Sequence, residues 1–243
     1  MNPLLKSIKT VLVIPALNEE ESLPGVLASV TANAVSEIIV VDNGSTDGTA
    51  AVACRAGVRV IAEEKKGYGA ACWAGFEASR EADILVFMDG DGSFVGSDIP
   101  RLTEPIKSRK ADLVLGSRML RAEDAKSIPL HARLGNRLVA FVVSGAARIP
   151  VTDIGPFRAI DRRTLENLKM EERTYGWPCE MIIKAGKLGY RVVEVPVTYG
   201  ARTGGRSKVS GTFIGSIKAA LAMLRVTARW SLWTKRDKFA SKA

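Results

Sequence analysis

No run of apolar residues in this 243-residue sequence approaches the ~18 to 20 needed to cross a bilayer. The best stretch, Leu138 to Ala147, is interrupted by Ser144 and soon ended by Arg148 and Pro150, so no span is expected. The first residues, MNPLLKSIKT, run directly into a β-branched segment without an apolar leader and small-residue cleavage site. A cytoplasmic protein is expected. Cysteine is scarce: Cys54, Cys72 and Cys179 are odd in number, widely separated and set in apolar or helical patterns. That excludes a disulfide framework and a zinc site, and buried free thiols are expected. The single histidine, His131, lies in a basic stretch and reads as a surface or acceptor-loop residue before a catalytic one. No G-x-G-x-x-G follows the first β-branched run, which removes a dinucleotide-dependent oxidoreductase. Internal repeats and low-complexity linkers are also missing, so one catalytic domain is expected, with 47% hydrophobic residues to fill its core.

Charge is present in excess, +9 overall, but unevenly. From Gly200 onward there are ten Lys or Arg against one acid, Asp237, while the first 199 residues hold 25 basic and 25 acidic side chains. A neutral body disfavours a nucleic-acid-binding module. A basic tail suits a peripheral protein at an anionic membrane surface.

Short β-branched runs recur at Thr10 to Ile14, Glu37 to Val41, Val58 to Ala62, Ile84 to Met88 and Leu113 to Leu115. Between them lie helix-like segments at Glu19 to Thr31, Asp47 to Ala56, Tyr68 to Arg80 and Ser97 to Arg109. Such alternation implies crossover connections and a mostly parallel central sheet with helices on both faces, an α/β fold whose ligands sit beyond the carboxyl ends of the strands. After Gly116 the pattern loosens: a basic stretch to Asn136, a helix over Arg137 to Arg148, a loop from Pro150 to Pro156, a helix around Cys179 to Lys187 and a strand at Arg191 to Val195. This half reads as completing the same domain.

Three acidic turns fall where strands should end: PALNEE (Pro15 to Glu20), VDNGSTDGT (Val41 to Thr49) and FMDGDGS (Phe87 to Ser93). One alone would be an ordinary turn. Three after successive strands point to a site. Asp89 and Asp91, separated by the small Gly90, leave room for a hard divalent ion, Mg²⁺ or Mn²⁺, and a diphosphate. Such an ion would neutralise charge on a nucleoside-diphosphate leaving group.

With these motifs the sequence resembles glycosyltransferase family 2 with a GT-A fold, and within it the dolichyl- and polyprenyl-phosphate sugar synthases. The likeness runs from about Thr10 to Ser210 through IPALNEEESL, VVDNGSTDGT, EKKGYGAACWAGF, VFMDGDGS, DLVLGSR, TDIGPFRAI, YGWPCEMIIKAGKLGYRVVEVPV and RTGGRSK. The resemblance implies a first nucleotide-binding turn at Pro15, Ala16, Leu17, Asn18 and Glu19, with Glu19 near base or ribose. It implies that Asp42 contacts base or ribose, that Lys66, Gly67 and Gly69 lie along the nucleoside, and that Asp89, Gly90 and Asp91 hold metal and diphosphate. Ser93 stands where synthases often carry a Gln that assists the metal. Arg118, Arg202 and Lys208 match the cations placed around donor and acceptor phosphates.

A phosphate acceptor is already ionised near neutral pH and needs positioning cations rather than a general base. A hydroxyl acceptor would instead need a carboxylate, for which Asp153 in TDIGPF is the candidate; Asp153 as a loop cap or partner of an arginine is the alternative. Glu180 beside Met181 and Ile182 is expected to orient an arginine. The tail, Gly211 to Trp233, sets Ile214, Ile217, Leu221, Leu224 and Ala228 at helical spacing with cations between, which suits an interfacial helix; packing on the domain or in a homodimer is the alternative. The expected organisation is a catalytic domain over 1–210 and a basic amphipathic helix and tail over 211–243. The expected activity is metal-dependent, inverting transfer of a hexose from a nucleoside-diphosphate sugar to a polyprenyl phosphate. Transfer to a hydroxyl, and sugar-nucleotide binding without turnover, are the rivals.

Overall fold

The computed structural model describes residues 7–204 and 213–234. Seven strands form one sheet: β1 (Thr10–Ala16), β2 (Glu37–Asp42), β3 (Arg59–Ala62), β4 (Ile84–Phe87), β5 (Leu113–Ser117), β6 (Arg158–Asp161) and β7 (Val192–Pro196), in spatial order β3-β2-β1-β4-β6-β5-β7. All neighbours are parallel except β6, which runs antiparallel to both β4 and β5. The mostly parallel sheet expected from the alternation is present. Its antiparallel member, four residues opening on an arginine, was not expected as a strand.

Alternate residues of the strands feed two cores. Val11, Val13, Ile39, Val41, Leu85 and Phe87 face α3 (Tyr68–Ala78), α6 (Leu130–Ala147) and α8 (Trp177–Leu188). Leu12, Ile14, Val40, Val86 and Met88 face α1 (Leu23–Ala28), α2 (Thr49–Arg55) and α4 (Ile99–Lys107). Strands buried on both faces read as continuous apolar runs for this reason. Two helices were not expected, α5 (Ala122–Lys126) and α7 (Arg162–Leu168). Asp161 caps α7 by accepting from the Thr164 backbone N–H at 2.9 Å.

α6 starts seven residues earlier than expected. The tail helix, α9 (Phe213–Ser231), packs against α6 and α8 and adds Trp230 to the first core. The boundary expected at 210/211 lies outside the described residues. Among the cysteines, Cys72 and Cys179 are buried, whereas Cys54 is exposed, because its α2 position faces away from the second core.

Candidate active site

The carboxyl ends of β1, β2 and β4 bring the three acidic turns together, as parallel strands must. The first two are laced to each other. Asn18 donates its backbone N–H to Ser45 Oγ at 2.9 Å and accepts from the Thr46 N–H at 2.7 Å, while the Glu19 N–H donates to Thr49 Oγ1 at 2.8 Å. Asn18 adopts a left-handed φ of 52°, which asparagine tolerates better than most residues. Asp42 accepts the Ser45 N–H at 2.9 Å and stabilises its own turn.

Its neighbour Asn43, not singled out from sequence, does more. The buried Asn43 amide donates to the carbonyls of Glu63 and Lys65, both at 2.9 Å, and accepts the Gly67 N–H at 2.8 Å. It thereby fixes the loop that carries Lys66. An asparagine following a strand-end aspartate was the available signal. Gly67 has φ 144° and Gly69 lies against the backbone of residues 172–173, with the Gly69 and Ala70 N–H groups donating to the carbonyls of Thr174 and Arg173. Glycine is required there by conformation at one position and by space at the other.

On the third turn, Asp91 accepts from the Ser93 N–H at 2.9 Å and the Ser93 hydroxyl at 2.6 Å through Oδ1, leaving Oδ2 to Arg202 at 3.3 Å. Arg202 also contacts both oxygens of Glu19 at 2.5 Å, and the Ser22 hydroxyl bonds Glu19 at 3.0 Å and the Gly90 carbonyl at 2.8 Å. Glu19, expected near base or ribose, thus stands beside Asp91 with its carboxylate on Arg202. Asp89 makes no hydrogen bond or ion pair among the described residues. Burial, then repulsion from Asp91, push its carboxyl up to about 8.

No group of three or more His, Cys, Asp or Glu able to hold a metal is assembled among the described residues. Two adjacent carboxylates, one of them without a hydrogen bond or ion pair among the described residues, nevertheless fit an octahedral ion that takes its other ligands from diphosphate and water.

Across the site, Asp153 is 1% exposed and fully engaged by Arg118: Nη2 to Oδ1 at 2.6 Å, Nε to Oδ2 at 2.8 Å and backbone N–H to Oδ2 at 2.8 Å. Burial opposes the Arg118 charge, but Asp153 outweighs it and holds the guanidinium more firmly protonated than usual. Arg118 lies 5.1 Å from the Tyr199 ring centroid. Glu194 braces the loop from behind, accepting the N–H groups of Thr152 and Asp153 at 2.9 and 3.1 Å. Glu180 does not orient an arginine: it pairs with Lys184 at 2.7 Å and accepts the N–H groups of Glu171 and Glu172, because the helical spacing of four puts the lysine within reach.

These groups open on a cavity of about 720 Å³. Its lining includes Pro15, Ala16, Leu17, Lys66 and Gly67 together with Glu19, Asp89, Gly90, Asp91, Arg118 and Arg202. Asn18, Asp42, Gly69 and Asp153 are not among its lining residues. His131 and Asn136 reach it from α6, and the apolar Ile128, Val139, Ile154 and Met223 line it as well. Asn136 accepts the Ile154 N–H at 3.1 Å, while its buried Nδ2 has no protein partner among the described residues. Lys208 lies outside the described residues.

Residues 11–175 match the family model described as glycosyl transferase family 2. The chain is 44% identical over 214 residues to an uncharacterized glycosyltransferase of Mycobacterium tuberculosis, covering 88% of this chain and 95% of that one. It is 34% identical over 236 residues to the undecaprenyl-phosphate mannosyltransferase of Micrococcus luteus, covering 92% and 96%. Among solved structures, glucosyl-3-phosphoglycerate synthase from M. tuberculosis in complex with Mn²⁺, uridine diphosphate and phosphoglyceric acid superposes with a TM-score of 0.75 at 22% identity, covering 93% of this chain and 79% of that one.

Proposed function

The chain belongs to glycosyl transferase family 2 and is a glycosyltransferase, and we propose that it moves a hexose from a nucleoside-diphosphate sugar to a polyprenyl phosphate. One observation carries this reading: a single cavity is lined by the carboxylates of Asp89 and Asp91, the guanidinium of Arg118 and the apolar side chains of Ile128, Val139, Ile154 and Met223. Only an acceptor with an anionic head and an apolar body uses all three zones. The likeness to an undecaprenyl-phosphate mannosyltransferase supports it.

In this reading the nucleoside lies along Pro15 to Leu17 and the loop held by Asn43. Asp89 and Asp91 would hold Mg²⁺ or Mn²⁺; the ion, when bound, neutralises the diphosphate as it leaves. Arg118, locked by Asp153, sets the acceptor phosphate in line with the anomeric carbon. An oxygen of that phosphate forms the new bond to the carbon as the bond to the diphosphate breaks, and the nucleoside diphosphate departs. No proton need be removed, since the attacking oxygen is ionised. Glu19 and Asp91 hold Arg202 beside the diphosphate, where its charge opposes that of the leaving group.

The test is transfer of labelled sugar from UDP-, GDP- and dTDP-hexoses, with Mn²⁺ or Mg²⁺, to a short-chain prenyl phosphate in detergent. An acid-labile prenyl-phosphate sugar is expected from at least one donor. Product on hydroxyl acceptors alone would replace this reading with the hydroxyl one.

A further inference from the structure

Helix α6, which contributes to the cavity lining, has another side that nothing among the described residues covers. At about 100° per residue, Leu130, Leu134, Leu138, Phe141 and Val142 of α6 fall within an arc of about 120°. They are 60%, 56%, 54%, 78% and 37% exposed. The buried positions Val139, Ala140, Val143 and Ala147 occupy the opposite arc. Five large apolar side chains in one exposed stripe are unlike the scattered apolar residues of an ordinary surface. The helix contains no Asp or Glu, and neither does α9 packed beside it. Arg137 and Arg148 flank the stripe, and Arg225 is exposed on α9.

We infer that α6 lies flat on an anionic phospholipid surface, with this stripe in the headgroup boundary and its arginines among the lipid phosphates. The inference rests on the lipid-acceptor reading above and names the surface through which such an acceptor is met. Two observations select a bilayer over a protein partner. Apolar residues flanked by Arg137 and Arg148 match an anionic lipid surface in both polarity and sign. The stripe is also continuous with the site, because Ala132, Gly135, Asn136 and Val139 of the same helix line the cavity. A prenyl phosphate leaving the bilayer beside α6 has one helix diameter to cross.

Of the α9 positions expected to meet lipid, Leu221 and Ala228 are exposed and Leu224 is half-buried, while Trp230 and Thr227 are buried against the domain; the α6 stripe is a second apolar surface beside them.

The experiment is co-sedimentation of the full chain, without donor or acceptor, with vesicles of phosphatidylcholine and phosphatidylglycerol in equal parts. Wild type should pellet at low salt and bind pure phosphatidylcholine less well. Leu134→Gln with Phe141→Gln should lower the bound fraction at least about tenfold with unchanged circular dichroism. Phe141→Gln alone, at the most exposed position of the stripe, serves if the pair does not fold. Arg137→Gln should weaken binding about fivefold, and only where phosphatidylglycerol is present.

Wild type remaining in the supernatant at low salt overturns the inference, as does wild-type binding by the double variant. A dimer in sedimentation equilibrium that the double variant abolishes, without vesicle binding by either, assigns the stripe to a second copy instead. Failure of the lipid-acceptor reading looks different: vesicle binding through α6 would persist while no prenyl phosphate is glycosylated in detergent. If both hold, the double variant keeps its activity on a short-chain acceptor in detergent and loses it on a long-chain acceptor in vesicles.

Discussion

Asp153 grips Arg118 with both carboxylate oxygens, at 2.6 Å to Nη2 and 2.8 Å to Nε, and takes the Arg118 backbone N–H as well. Three of the roughly four lone-pair sites of this carboxylate are thus occupied by Arg118, and the residue is 1% exposed. In the proposed mechanism its role is to fix a cation.

Asp153→Asn should therefore behave like Arg118→Gln. An amide offers one acceptor oxygen to two guanidinium donors, so Arg118 loses its fixed plane. Turnover should fall on the order of 10- to 100-fold in each variant, with donor KM little changed, and the double variant should be no worse than either single one. Asp153→Ala should cost about 3–5 kcal/mol in urea unfolding, because it leaves Arg118 partly buried and unpaired. Complete loss in Asp153→Asn beside an active Arg118→Gln would instead make Asp153 a base.

Metal dependence should reside in Asp89 and Asp91. Asp91→Ala is expected to abolish Mn²⁺-stimulated turnover and calorimetric Mn²⁺ binding with nucleoside diphosphate, and EDTA should silence wild type. The fold should survive, since Arg202 keeps Glu19 and the changed side chain lies at a strand end. Undiminished turnover in excess EDTA would remove the ion from the mechanism.

Gly69→Ala tests the nucleoside wall. An added Cβ would stand 2.8 Å from both the Arg173 carbonyl carbon and the Glu172 carbonyl oxygen. Both are backbone atoms, held in place by Glu180, so neither yields cheaply. A loss of about 1–3 kcal/mol of stability and weaker donor binding are expected. Gly25→Ala, with nothing within 4 Å of its added carbon, is the control and should be neutral or slightly stabilising. Equal behaviour of the two variants would refute the packing argument.

Much of the site was legible because its chemistry is local. A strand that ends on an acidic turn shows itself within ten residues, and three such turns pointed to the sheet end that holds the cavity. What stayed hidden depends on distant pairing. Arg202 meets Glu19 across 183 positions and Arg118 meets Asp153 across 35, and neither spacing has a periodic signature. Strand β6 was obscured because Arg158–Asp161 carries only two apolar residues, Ala159 and Ile160, yet it lies between β4 and β5. The start of α6 was obscured by its own asymmetry: Leu130 and Leu134 point outward among His131, Arg133 and Asn136, so the segment reads as a polar loop.

The tail helix gives the last prediction. Lys184 is 1% exposed, 2.7 Å from Glu180 and 2.7 Å from the Lys169 carbonyl, with the ring centroids of Trp230 and Trp233 at 4.0 and 5.4 Å. Two tryptophans thus close a buried ion pair whose carboxylate also holds the N–H groups of Glu171 and Glu172, the stretch packed on Gly69. Trp230→Ala should open a cavity and admit water to the pair, costing about 3–5 kcal/mol in urea unfolding. Lys184→Met in the same background should cost less than the two single changes combined, because the replaced cation no longer needs the ring face. Donor affinity should weaken with Trp230→Ala, since the 171–174 stretch is then less firmly held, while vesicle binding should persist through the α6 stripe. A Trp230→Ala protein with wild-type stability would show that the helix rests on the domain without supporting it.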